Sequence, residues 1–137
     1  MKVSCDASFS SSDGRAALAV ILRDSHGKLI DGTTSIAYSS SAKQGEAHVI
    51  RLACMFLRAL GLLNLQVESD SQEVITLCVL ELVMSFSSQV SFAWIPRESN
   101  EVAHWVARAH LLGALPSNWV STPPVALSAL LLADVSL

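Results

Sequence analysis

Polar and apolar residues alternate from Lys2 to Phe9: Val3, Cys5, Ala7 and Phe9 fall on one side, Lys2, Ser4, Asp6 and Ser8 on the other. A period of two predicts a strand, and it turns Asp6 away from Cys5 and Ala7. A turn over 10–14 ends in Asp-Gly, Ala16 to Leu22 reads as a buried strand, and a second turn over 24–27 leads to a third strand from Lys28 to Ser39. Together these predict an antiparallel meander. Ser41 and Gln44 have the spacing of a capping box ahead of a helix from Glu46 to Leu60, with His48, Arg51 and Arg58 on its polar side. Met55, Phe56 and Leu57 are expected in or near the core.

Beyond this helix the pattern alternates between strand and helix. Asn64 to Ser69 predicts a fourth strand, Asp70 to Phe86 a second helix, Gln89 to Ile95 a fifth strand, and Ser99 to Leu112 a third helix begun by Ser99 or Asn100. The order βββαβαβα implies an α/β domain with a mixed five-stranded sheet flanked by helices. Right-handed crossovers make the fourth and fifth strands parallel to the first. Residues 1–112 are expected to form the domain. Residues 113–137 read as a tail that packs on it or extends from it, with Pro123-Pro124 and one last apolar turn around Leu130. Trp94, Trp105 and Trp119 fall at apolar periodic positions and are expected to pack rather than stack on bases.

The chain has 137 residues, 51% hydrophobic and 15% charged, which excludes intrinsic disorder and leaves room for one core. Nine basic against twelve acidic side chains give a net charge of −3, too little positive field for nucleic-acid binding by charge alone. No signal peptide is expected, because Asp6, the run of serines and Asp13 lie where its apolar stretch would be. No membrane span is expected either: the uncharged stretch from Leu111 to Ala133 is broken by prolines, and Val125 to Ala133 falls short of the roughly 20 residues needed. Cys5, Cys54 and Cys78 form an odd set without a C-x-x-C pair, in apolar contexts, so a reducing intracellular compartment, nucleus or cytoplasm, is expected.

Three acids occupy positions that can converge: Asp6 in the first strand, Glu46 in the first turn of the first helix, and Asp70 at the carboxyl end of the fourth strand. Strands one and four are expected to be neighbours, and ligands of open α/β sheets bind at that carboxyl edge. Each acid also has a local reading. Asp6 is a polar strand residue that is expensive to bury; Glu46 can complement a helix dipole, worth about 0.3–1 kcal/mol; Asp70 can cap a helix with Glu73 completing the box. Clustered, they require a counter-charge, and a divalent cation is the usual one.

The strand order, with Asp6 in Lys2-Val-Ser-Cys-Asp-Ala-Ser8, Glu46 in Gly45-Glu-Ala47, and Val67-Glu-Ser-Asp70-Ser-Gln-Glu-Val-Ile75, resembles the ribonuclease H-like superfamily. Trp94-Ile-Pro-Arg97-Glu-Ser-Asn100-Glu-Val-Ala-His104-Trp-Val-Ala107 and the tail are similar to the plant reverse-transcriptase-like, type 1 ribonuclease H domains derived from non-LTR retroelements. The likeness spans nearly the whole chain. It implies Mg²⁺-dependent hydrolysis of the RNA strand of RNA/DNA hybrids at a two-metal site, with Asp6, Glu46 and Asp70 as ligands. His104 stands where active relatives carry a fourth acid; imidazole suits Mn²⁺ better than Mg²⁺. Arg97 and Asn100 are expected to touch substrate, Arg97 through a phosphate. The loop before the last helix has no counterpart of the relatives' mobile histidine, and no basic insertion precedes Gln89. A weak, salt-sensitive grip on the hybrid follows, in a monomer or a part of a larger polyprotein. The alternative is a degenerate module that binds nucleic acid or protein without turnover.

Overall fold

The computed structural model describes residues 1–61, 65–72, 75–76 and 90–135. Strands β1 (Lys2–Phe9), β2 (Arg15–Arg23) and β3 (Leu29–Tyr38) form the antiparallel meander; helix α1 (Ala42–Leu60) follows, then β4 (Leu65–Ser69) and β5 (Val90–Trp94). A single 3-10 turn over Arg97–Ser99 leads into α2 (Glu101–Leu111), and α3 (Val125–Val135) follows. The sheet order is β3-β2-β1-β4-β5, with β4 parallel to both β1 and β5, as the crossovers require. The helix expected over Asp70–Phe86 lies mostly outside the described residues, as do Glu73 and Cys78. Gln72, Ile75 and Thr76 are helical, and Ile75 N–H donates to Ser71 O at 3.0 Å.

Both faces of the sheet are covered, which explains the nearly unbroken apolar run of β2. On one face Val3, Cys5, Leu18, Val20 and Leu22 pack against Val49, Ile50, Ala53 and Leu57 of α1. On the other, Ala19 and Ile21 meet Val102, Ala103 and Val106 of α2, together with Trp119 and Leu127 from the last 25 residues. Side chains such as Ile50 and Leu57, fully buried, each contribute about 1.5–3 kcal/mol relative to exposure. In α1 the buried positions Gly45, Val49, Ile50, Ala53, Cys54 and Leu57 make one helical face. The helix starts four residues earlier than its apolar pattern, because Ser41 caps it: Ser41 Oγ accepts from Gln44 N–H at 3.2 Å. The return arm of the capping box lands one residue upstream, where Gln44 Oε1 accepts from Ser40 N–H at 2.7 Å.

Three expectations change. Met55 is 63% exposed, since α1 covers the sheet with a narrower face than its composition suggests. Trp94 is 47% exposed, because β5 is an edge strand. The tail is more than one apolar turn: α3 runs for 11 residues, buries Leu127 in the second core, and ties Asp134 to the buried Arg23 at the end of β2. Among the described residues no helix is long and apolar enough to cross a membrane. Cys5 and Cys54 are buried thiols, and burial pushes Cys5 well above its usual value.

Candidate metal centre

The alternation of β1 puts Ser4, Asp6 and Ser8 on the face that α2 covers, so Asp6 is only 1% exposed although it carries a carboxylate. Glu46 arrives from the opposite side. Gly45 eases its approach: a Cβ there would lie 3.2 Å from Ala16 Cβ, a tight contact, and 3.6 Å from Ala7 Cβ, so the glycine lets the first turn of α1 lie close on β1 and β2. Glu46 Oε1 then accepts the Ala7 N–H at 3.3 Å. Asp70 follows the last residue of β4, the strand beside β1. One oxygen from each of Asp6, Glu46 and Asp70 lies within 4.8 Å of the others.

Three carboxylates so close cannot all ionise cheaply. Burial, followed by the negative charge of Asp6, pushes Glu46 up to about 10. Burial and Asp6 raise Asp70 as well, opposed by the Asn100 side chain and the positive groups of Arg97 and His104. Glu46 Oε2 and Asp70 Oδ2 are buried without a hydrogen-bond partner among the described residues. Hard oxygen donors, unpaired and electrostatically frustrated, fit a divalent cation of the Mg²⁺ or Mn²⁺ kind, which would take up these lone pairs and reverse the local sign.

The remaining expected site residues fall around this cluster in different roles. His104 Nδ1 lies 3.0 Å from Asp6 Oδ2 and 3.1 Å from Arg97 Nη2. A single ring nitrogen can donate to Asp6 or accept from Arg97, not both, and only the Nδ1–H form serves the ionised carboxylate. His104 thus reaches the site through Asp6. Arg97 is exposed at its rim. Asn100, expected at the substrate, is 1% exposed: its Nδ2 donates to Cys5 O at 3.0 Å, locking the start of α2 to β1 one residue from Asp6. It gives no side-chain cap to α2, its amide being committed to the strand.

Periodicity alone did not mark Trp94 as part of the site, yet its Nε1–H donates to Asp70 O at 3.1 Å. Its periodicity matched the half-buried Phe92 side of β5, and only its place as the last strand residue before Ile95-Pro96 hinted that it sits at the sheet's carboxyl edge.

Comparison with known proteins bears on this arrangement. The model of a family described as reverse transcriptase-like matches residues 4–81, which carry Asp6, Glu46 and Asp70. No curated protein matches the sequence significantly. Among solved structures, the ribonuclease H1 of the halophilic archaeon Halobacterium salinarum superposes with a TM-score of 0.70 at 20% identity, over 82% of this chain and 98% of that one. A compost-derived ribonuclease H1, solved in complex with an RNA/DNA hybrid, gives 0.70 at 16% identity over 84% and 99%. An N-terminal ribonuclease H domain from Mycobacterium tuberculosis gives 0.66 at 17% over 82% and 95%. The fold is that of ribonuclease H.

Proposed function

Because the chain belongs to the reverse transcriptase-like family, with a ribonuclease H fold, we propose that it hydrolyses the RNA strand of RNA/DNA hybrids at the Asp6, Glu46 and Asp70 cluster. The observation that carries this reading is the convergence of three carboxylates, two with orphaned buried oxygens, at the carboxyl edge of parallel β1 and β4. Asp6, whose charge raises both neighbours, would hold divalent cations together with Glu46 and Asp70. Bound Mg²⁺ or Mn²⁺ supplies electrophilic assistance to an in-line displacement at phosphorus.

The chain's own residues supply the rest. His104 Nδ1–H fixes the orientation of Asp6, an outer hydrogen bond of the kind that tunes metal affinity. Asn100 holds the backbone beside Asp6 in place. Arg97, exposed at the rim, offers its guanidinium to a phosphate of the substrate. With a net charge of −3 the chain grips the hybrid weakly, and its affinity falls with salt. The described part of the tail joins this same unit through Trp119 and Leu127.

Cleavage of a labelled hybrid in Mg²⁺ and in Mn²⁺ tests the proposal, with Asp70→Asn as the control. Cleavage that needs a divalent cation and is lost in the variant supports it. Equal cleavage by the variant overturns the site, and intact Mn²⁺ binding without cleavage of any hybrid favours a module that binds without turnover.

A further inference from the structure

Asp70 sits in a turn that β5 holds from outside. Ser69 faces Trp94 in the parallel register of β4 and β5. Ile95 N–H donates to Ser69 O at 2.9 Å, the continuation of the ladder. Ser69 Oγ accepts from Ser71 N–H at 3.2 Å across the turn. The remaining carbonyl, that of Asp70 itself, accepts from the indole Nε1–H of Trp94 at 3.1 Å. That last bond comes from a side chain, and no ladder requires it. Trp94 leaves 47% of its surface exposed, a poor use of so large an apolar residue if packing were its whole role. The side-chain oxygen Asp70 Oδ2, by contrast, is buried without a hydrogen-bond partner among the described residues, and the carboxylate takes a side-chain hydrogen bond from Asn100. The direction of the carboxylate therefore depends on the Asp70 backbone as well as on Asn100.

We propose that Trp94 is a positioning residue for Asp70: its indole N–H fixes the Asp70 peptide and so aims the carboxylate at the position it shares with Asp6 and Glu46. The proposal rests on the reading of these three acids as cation ligands. It assigns β5 a part in the site beyond closing the sheet. Trp94 acts on the cation only through Asp70, so its loss weakens metal binding and leaves the hybrid-binding surface intact.

The test is Mn²⁺ affinity, measured by calorimetry or electron paramagnetic resonance, in Trp94→Phe and Trp94→Met. Both variants delete the N–H and keep apolar volume, and a thermal melt without metal identifies a folded one. Loss of one hydrogen bond of ordinary strength weakens Mn²⁺ binding by about three- to tenfold. Hybrid cleavage falls at limiting Mn²⁺, recovers when Mn²⁺ is raised to saturation, and shows an unchanged KM for the hybrid. Wild-type Mn²⁺ affinity in a folded variant overturns the inference, as does a rate that stays low at saturating Mn²⁺. Asp70→Asn, measured alongside, separates the two levels. If it keeps wild-type Mn²⁺ affinity, the ligand assignment itself is wrong; if it loses Mn²⁺ while both Trp94 variants retain it, only the role of Trp94 is overturned.

Discussion

Glu46→Gln should make the metal-free protein more stable at neutral pH, and the gain should grow with pH. The folded protein holds Glu46 up to about 10, against 4.5 for the free side chain, mainly by burial and then by the charge of Asp6. The folded state therefore keeps a proton that the unfolded state releases above pH 4.5, and ∂ΔG/∂pH is negative across that window. Stability is full below the unfolded value, falls as pH rises, and levels off only above the folded one. Between pH 4.5 and 7 the slope of one proton amounts to about 3 kcal/mol, and this figure requires only that the folded value exceed 7. Relaxation and water entry reduce it, so about 3 kcal/mol is an upper bound. Glutamine is a neutral isostere that keeps an acceptor for the Ala7 N–H, and it removes this cost. Thermal or urea denaturation in a chelator, at pH 4.5 and pH 7, measures the effect. Variant and wild type should be close at pH 4.5 and differ by up to about 10 °C in Tm at pH 7. Equal stability at pH 7, or a gap independent of pH, would refute the reasoning. Saturating Mn²⁺ should reverse the order, because it stabilises only the protein that binds it.

Other outcomes follow from the same geometry. Mn²⁺ must displace the Glu46 proton, so its affinity should rise with pH by up to about tenfold per unit below the folded value, with one proton released per binding event; calorimetry in two buffers of different ionisation enthalpy reads the proton count. Asn100→Ala orphans the buried carbonyl of Cys5 and should cost about 1–3 kcal/mol in urea unfolding, with lower activity than its stability loss explains, since the tie lies beside Asp6. Gly32→Ala places a Cβ 2.9 Å from Val20 O and against the Trp119 ring, and should destabilise by about 1–3 kcal/mol while leaving Mn²⁺ affinity per folded molecule unchanged. Gly45→Ala, by contrast, pushes α1 away from β1 and β2 and should weaken Mn²⁺ binding more than it lowers Tm, because Glu46 moves with the helix. A variant at Gly45 with unaltered affinity would show that the close approach does not set the site.

Local patterning made most of the fold legible. Alternation in β1, the unbroken apolar run of β2, and the capping signal at Ser41 are short-range properties, written wherever a side chain must face core or water at a fixed period. The three acids were legible for a related reason: an acid in an otherwise apolar strand or at a strand's end is costly, and motif blocks around them matched a family. The patterns failed where contact rather than period decides. Trp94 kept the parity of a buried residue but lies at the edge of the sheet, and Asn100 takes the expected N-cap position of its helix while its side-chain amide reaches 95 residues back to Cys5 instead of capping. The α3 helix was read as one turn because it has little polar contrast from which to infer a face.

By itself, then, the sequence determined the order of elements, the meander and its parallel continuation, and which acids are worth bringing together, because these depend on periodicity and on the cost of burying charge. Only the tertiary structure decided how the acids meet. It put Glu46 beside Ala7 through the glycine at 45, left two carboxylate oxygens without partners among the described residues, and gave His104 to Asp6 rather than to an independent place in the cluster. Those outcomes depend on distances of a few ångströms between residues far apart in the chain. Such distances are set by packing across the sheet, and packing leaves no periodic trace.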